Sequence, residues 1–271
     1  MTINPPLENL WKLDTIGFTK EPFSHLEEKA VDLFKRTTQY KTGKYVVQLP
    51  FKSDKHPDSN YARAFAQLMS VKKSKNPQFF TDYPKILDEY LEENFIEPVP
   101  LGTPVDGKVH YLSHHPVVKN SATTPIRIVF NASSRANPNS FSLDDSLYTG
   151  PNLASKIQSM ILMFLEMPFG LTADISKAFL RIEIVPEQRN FCCFLFFEDP
   201  EMTKIVAYRF KVVLFGATSS PYLLNQTMQH HLDSKLFIQK LWMTDKGWDT
   251  PIDPEQVQDL SDIIKSYKGL E

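Results

Sequence analysis

One acidic residue stands in a context suited to metal and nucleotide chemistry. Asp174 follows an apolar, strand-like run at residues 170–173, and the aromatic side chain of Phe179 comes five positions later. A carboxylate at a strand end is a hard oxygen ligand for a divalent cation, and a ring one turn beyond it can border a nucleotide pocket. An Asp in this place is also a common helix cap or turn former, so the segment alone leaves both interpretations open.

Three other groups of residues could suggest a metal, redox or nucleic-acid site, but their spacing favours structural roles. Cys192 and Cys193 are adjacent and form no CxxC motif, which predicts buried strand residues. His114 and His115 are also adjacent, so in a strand they point to opposite faces, which does not favour zinc. The lysine-rich run at 71–75 could contact a phosphate backbone, but such a run is typical of a solvated helix end.

Composition narrows the class of protein. The chain has 271 residues, of which 42% are hydrophobic, so we expect a globular protein at least in part. The net charge of −2 means that any nucleic-acid contact must come from local patches. No run approaches the roughly 20 apolar residues of a membrane span, and the start of the sequence has no signal-peptide pattern. We therefore expect an intracellular protein without a membrane partner.

The first half of the sequence predicts helices around short strands. Ser24 is typical of the N-cap of a helix through Phe34, and the β-branched run at 44–51 predicts a strand. Two amphipathic helices should follow, with buried faces at Ala62, Phe65, Leu68 and Met69, and at Ile86, Leu87, Tyr90, Leu91 and Phe95. Strands at 110–119 and 125–130, joined by a polar turn, predict a β-hairpin.

The second half predicts a mixed sheet. An apolar helix should follow Pro151, with Ile157, Met160, Ile161 and Phe164 on it. Strand-like runs lie at 170–175, 190–197 and 206–214, and a helix should start at residues 219–221 and reach about His231. A last short helix should close the chain. The fold class we expect is α+β, with a mixed, mostly antiparallel sheet, packed helices and a short helical tail.

Six segments, in this order, resemble the reverse transcriptase of BEL/Pao-type LTR retrotransposons. They are GKYVVQLPFK at 43–52, YLSHHPVVK at 111–119, RIVFNAS at 127–133, GPNL at 150–153, LTADISKAF at 171–179 and FGATSSP at 215–221. The resemblance implies reverse transcriptase-like fingers and an incomplete palm, with four divisions. These are a helical lead-in and start of fingers (1–100), a fingers hairpin region (101–150), a partial palm (151–231) and a displaced post-thumb segment with a helical tail (232–271).

The same resemblance implies roles for single residues. Arg127 matches the fingers arginine that contacts the incoming nucleotide, for which a planar guanidinium is well suited. Asp174 matches the first catalytic carboxylate and Mg²⁺ ligand, and Phe179 matches the ring that rejects a ribose 2′-hydroxyl. Gly216, Ser219 and Pro221, with Ser220 between the last two, match the loop and helix start that support template and nucleotide. The implied partners are an RNA or DNA primer-template and a dNTP, and the implied location is the cytoplasm or a virus-like particle.

The sequence departs from the family pattern at two places. Polymerisation needs a second carboxylate pair to clamp two metal ions, and no Tyr-x-Asp-Asp motif follows Asp174. The only Asp-Asp pair, Asp144 and Asp145, lies upstream, where the family has a loop. Residues 235–242 and 247–252 resemble a segment beyond the thumb, which indicates an internal deletion at 232–234. Asn131 stands where many relatives carry Asp, which removes a charge partner for Arg127, although an amide can still hydrogen-bond.

These observations leave three functional hypotheses. The first is an RNA-directed DNA polymerase element centred on Asp174 and Mg²⁺, which lacks half of its carboxylates. The second is a non-enzymatic remnant that binds primer-template. The third is the product of a decayed element without function, in which the deletion exposes strand edges and apolar surface.

Overall fold

The computed structural model describes residues 23–52, 55–73, 77–99, 109–118, 126–154, 157–166, 174–199 and 201–234. The α-helices are α1 (His25–Thr37), α2 (Tyr61–Lys73), α3 (Pro77–Glu92), α4 (Leu143–Ser146), α5 (Ile157–Glu166) and α6 (Ser220–Ser234). The strands are β1 (Gln39–Lys41), β2 (Lys44–Val47), β3 (Ile96–Pro98), β4 (Ser113–Val118), β5 (Ile126–Asn131), β6 (Ile182–Ile184), β7 (Cys193–Phe197) and β8 (Ile205–Phe210). Two 3₁₀ segments, Ala178–Arg181 and Pro186–Cys192, flank β6.

The strands form small sheets that are mostly antiparallel. The order β3-β8-β7 makes an antiparallel sheet, β4 and β5 form an antiparallel hairpin, and β1 pairs antiparallel with β2. The exception is β6, which pairs parallel with β2. The prediction of an α+β protein with a mostly antiparallel sheet is confirmed, although the strands fall into separate small sheets. The predicted helical tail lies outside the described residues.

Helix α1 begins where the sequence predicts. The Ser24 hydroxyl accepts the Glu27 backbone N–H, and the Glu27 carboxylate accepts the Ser24 backbone N–H, which is the reciprocal arrangement of a capping box. Ala30 and Phe34 are the buried residues of this helix.

The core centres on β7, whose residues are all buried. Phe194 of β7 packs against Phe130 of β5 and Phe210 of β8, with ring centroids 5.1 and 5.3 Å away. Tyr83 of α3 stacks on Phe196 at 4.9 Å. Cys192 and Cys193 are buried as predicted, although Cys192 ends a 3₁₀ segment and only Cys193 lies in the strand. Aromatic packing therefore joins the hairpin, the β3-β8-β7 sheet and α3 into one core.

The buried face of α2 differs from the predicted one. The predicted Leu68 is buried, but its buried neighbours are Ala64 and Val71 rather than Ala62 and Phe65. Phe65 is exposed and stacks on Tyr61 at the outer surface, with ring centroids 6.2 Å apart. The small side chain of Ala64 allows the helix to pack closely against β4 and β7.

Strands β2 and β7 are shorter than the runs predicted at 44–51 and 190–197. Beyond Val47, the Leu49 backbone N–H donates to the Gln188 side chain at 2.6 Å instead of to a strand. Before Cys193, the chain is helical from Pro186. No helix within the described ranges combines the length and the apolar character that a membrane crossing requires.

Candidate functional site

Arg127 lies on the hairpin that the sequence predicts. In β5 the residues alternate, with Ile126, Ile128 and Phe130 buried and Arg127 pointing outward, opposite Val117 of β4. The alternation fixes the direction of Arg127, because a one-residue slip would bury a guanidinium and expose the apolar face. Arg127 is therefore an exposed cation at the outer face of the hairpin.

Asp174 is exposed and lies just before a turn. Of the strand predicted at 170–175, residues 170–173 lie outside the described residues, and Asp174 itself is not in a strand. Three residues later, Lys177 adopts a left-handed conformation with φ of 54° and begins the Ala178–Arg181 segment. Its ammonium group forms an ion pair with Glu89 of α3 and lies 5.6 Å from the centre of the Phe95 ring. The turn after Asp174 is thus anchored to the end of α3.

Phe179 meets the loop before α6. Its ring is half-buried and packs edge to face on Phe215, with centroids 5.1 Å apart. Phe215 is itself exposed. The two residues belong to different segments that the family resemblance assigns to nucleotide contact.

Gly216 brings the same loop against the hairpin. Its φ is +95°, and a Cβ at this position would stand 2.6 Å from the carbonyl oxygen of Phe130. Only glycine fits here without a shift of backbone, both because of the left-handed φ and because of the space. The loop at 215–219 therefore contacts β5 three residues from Arg127.

The start of α6 is largely buried, whereas a binding surface must be exposed. Ser219 is fully buried, and its hydroxyl has no hydrogen-bond partner among the residues that the structure describes. The Ser220 hydroxyl donates to the Leu214 carbonyl at 2.7 Å, which closes the loop on itself. Pro221 is exposed at the first turn. Of the predicted residues here, Gly216 and Pro221 reach the surface and Ser219 does not.

Asp144 and Asp145 are the middle residues of the one-turn helix α4, where the resemblance implied a loop. The Asp144 carboxylate accepts the Ser133 hydroxyl at 2.6 Å and the Thr218 backbone N–H at 2.8 Å. Asp145 caps α4 through Ser142, and the bidentate guanidinium of Arg135 holds the pKa of Asp145 well below its usual range. Both carboxylates are thus engaged by donors within the protein.

Sequence reasoning missed Asp144 as a structural link. The Ser142-x-x-Asp145 spacing indicates a helix start and could have revealed α4. Nothing local, however, indicates the bond between Asp144 and Thr218.

Asn131 does not serve as a partner for Arg127. Its side-chain oxygen accepts the Ser133 backbone N–H at 3.0 Å, which forms a local turn after β5. An Asp could accept the same bond, so the substitution of Asn for Asp leaves the turn geometry intact.

The described carboxylates do not fit a two-metal centre. Within the described ranges, no group of three His, Cys, Asp or Glu side chains is arranged to hold a cation. Asp174 is the one predicted Mg²⁺ ligand, and a single carboxylate cannot clamp two ions.

Lys72 of the lysine-rich run and His114 of the histidine pair, for which the sequence favours structural roles, both have partners in the fold. The Lys72 ammonium donates to the Met202 carbonyl at 2.6 Å and lies 5.1 Å from the centre of the Phe197 ring.

His114 is buried and His115 exposed, as strand alternation predicts. His114 Nε2 donates to the Leu195 carbonyl at 2.8 Å, so its Nδ1 accepts the Tyr83 hydroxyl. Burial lowers the pKa of His114 to about 4.

Comparison with known proteins adds no family to these observations: no family model matches the chain, and no curated protein matches it.

Proposed function

We propose that this chain is a reverse transcriptase-derived fragment that binds primer-template nucleic acid without carrying out polymerisation. The proposal rests on the order of the six resembling segments and on one observation about the fold. Residues that are far apart in the sequence, and that the resemblance assigns to substrate contact, lie in segments that touch each other.

That observation is a chain of two contacts. Gly216 lies against the Phe130 carbonyl of β5, and Phe215, the neighbour of Gly216, packs on Phe179. We call the surface formed by β5, the loop at 215–219 and Phe179 the hairpin–loop surface. It combines an exposed cation, Arg127, with exposed and half-buried rings. Phosphate contact by arginine and stacking of bases on aromatic rings are the two common means of binding single strands and strand junctions.

The absence of polymerisation follows from the carboxylates. The second acidic pair of the family motif does not occur after Asp174. Asp144 and Asp145 are engaged with Ser133, Thr218 and Arg135 and are not available as substitutes. The proposed deletion at 232–234 coincides with the last turn of α6.

The proposal is tested with a fluorescently labelled RNA–DNA primer-template and fluorescence anisotropy across a salt series. We expect measurable affinity that falls steeply with salt, because each phosphate contact releases counterions. Arg127→Ala should lower the slope of log affinity against log salt by about 1. Arg63→Ala is the matched control, since Arg63 is exposed on α2, which is not one of the segments that form the hairpin–loop surface, and its loss changes the net charge equally.

Three outcomes of this experiment are informative. A loss confined to Arg127→Ala supports the proposed surface. Equal losses in both variants indicate non-specific attraction and count against it. Undetectable binding by the wild-type chain rejects the function itself.

One observation favours a second candidate, a decayed product that does not persist as a folded monomer. Helix α5 carries exposed apolar side chains along its length: Ile157, Met160, Ile161, Leu162, Phe164 and Leu165. Monomeric proteins rarely expose contiguous apolar patches of this kind, which promote association. A cooperative thermal unfolding transition at low protein concentration would count against this candidate.

A further inference from the structure

We propose that Asp144 is a positioning residue, which holds the hairpin and the loop at 215–219 in the relative arrangement that the hairpin–loop surface requires. This inference rests on the proposed function. It assigns to Asp144 a role that the family resemblance does not give, since the resemblance places this residue in a plain loop.

The contacts of Asp144 join three segments. Its backbone N–H donates to the Ala132 carbonyl at 3.1 Å, immediately after β5. One carboxylate oxygen accepts the Ser133 hydroxyl, and the other accepts the Thr218 backbone N–H. The same residue therefore binds the end of the hairpin and the loop that follows β8.

The bond to Thr218 adds a charge-assisted link to a loop that is also held by packing. Gly216 packs closely against the Phe130 carbonyl, and Ala217 and Ser219 are buried. The Thr218 hydroxyl has a 3.3 Å contact with that of Thr149, and the Ser220 hydroxyl closes the loop on Leu214. Asp144 supplies the charge-assisted bond between this loop and the hairpin, and such bonds are about twice as strong as neutral ones.

The consequence concerns Arg127 and Phe215. Both are exposed and must face the same ligand if the hairpin–loop surface binds a primer-template. Without the Asp144 bonds, we expect the loop to shift relative to the hairpin, although Ala217 and Ser219 remain buried. Binding should then weaken although the core, which lies on the other face of β5, remains packed.

The test compares Asp144→Ala with Asp144→Asn in the full chain, by anisotropy with the labelled primer-template and by hydrogen exchange of the Thr218 amide. Asp144→Ala should weaken binding about tenfold and expose the Thr218 amide to exchange. Asp144→Asn should restore both to within about twofold of the wild type, because the amide oxygen accepts from Thr218 and the amide nitrogen can donate to the Ser133 hydroxyl. Thr218→Ala is the matched control, since it keeps the backbone N–H.

Other outcomes overturn the inference. If Asp144→Ala binds as tightly as the wild type while its Thr218 amide exchanges freely, the bond positions nothing that binding needs. If the Thr218 amide stays protected, the bond is not the constraint. Should Asp144→Ala not fold, Asp144→Ser replaces it, because a serine hydroxyl is too short to span both contacts. If the wild type does not bind primer-template, the proposed function fails and the positioning role fails with it, whereas the exchange of Thr218 still shows whether Asp144 fastens the loop.

Discussion

Gly216 and Phe130 meet so closely that no side chain fits between them. A Cβ on Gly216 would lie 2.6 Å from the Phe130 carbonyl oxygen, and the glycine φ of +95° is unfavourable for any other residue. The contact joins the hairpin to the loop before α6, and it involves backbone that cannot turn aside as a flexible side chain could.

This contact predicts a specific cost for Gly216→Ala. We expect the free energy of unfolding to fall by about 3 kcal/mol, of which about 1 to 2 kcal/mol comes from the left-handed φ and the rest from displacement of β5 or the loop. Gly43→Ala is the matched control, because Gly43 has a φ of +83° and nothing within 4 Å of the added Cβ. Urea denaturation of both variants measures the difference, and equal losses would mean that the close contact has no energetic weight.

His114 predicts a loss of stability in mild acid. Burial lowers its pKa to about 4 from the usual 6.5, so the unfolded chain takes up a proton at a higher pH than the folded chain. This contribution is fully present above about pH 6.5 and is lost as the pH falls toward 4, by at most about 1.4 kcal/mol for each pH unit. Burial also lowers the pKa of His110, which adds to the loss in the same direction.

The measurement is denaturant unfolding at pH 7 and at pH 5, for the wild type and for His114→Gln. The variant should be less stable at pH 7, because the Tyr83 and Leu195 partners of the imidazole are buried. It should lose less stability on acidification than the wild type. An unchanged pH dependence would show that His114 does not titrate as its burial implies.

What could be predicted from the sequence was mainly local. Ser24 predicts the start of α1 because a capping box needs only neighbours, and the hairpin follows from the alternation of Ile126, Ile128 and Phe130. The bond between Asp144 and Thr218 spans 74 positions, and no periodicity or turn pattern contains it. Sequence pattern alone could place Arg127 on a strand but could not show which loop lies beside that strand.

The error in α2 has a different origin. The helix has two apolar stripes, one that includes Phe65 and one that includes Ala64. Hydropathy favours the larger aromatic side chain, whereas close packing against β4 and β7 favours the smaller alanine. Periodicity identifies that a helix is amphipathic more reliably than it identifies which stripe is buried.

Because both cysteines are buried, we expect the folded chain to resist thiol reagents. Burial raises the pKa of Cys193 to about 12 and that of Cys192 well above its usual value, so the thiolate is scarce at pH 8. A colorimetric thiol assay should detect almost no reaction in native buffer and both thiols in denaturant. Rapid labelling of the native chain would show that β7 opens readily or is not the centre of the core.

Because the apolar side chains of α5 are exposed, we expect that charged residues can replace them without loss of stability. Leu162 and Leu165 are 69% and 73% exposed, so replacement of both by Lys removes little buried surface. We expect the free energy of unfolding to change by less than about 1 kcal/mol and the light scattering at high protein concentration to fall. Leu68→Lys is the contrasting variant, because Leu68 is 1% exposed in α2 and should not tolerate a charge.

A loss of several kcal/mol in the α5 double variant would instead mean that this face is covered in the folded protein. Stability that is unchanged, together with scattering that does not fall, would remove α5 as the cause of association and weaken the case for a decayed product.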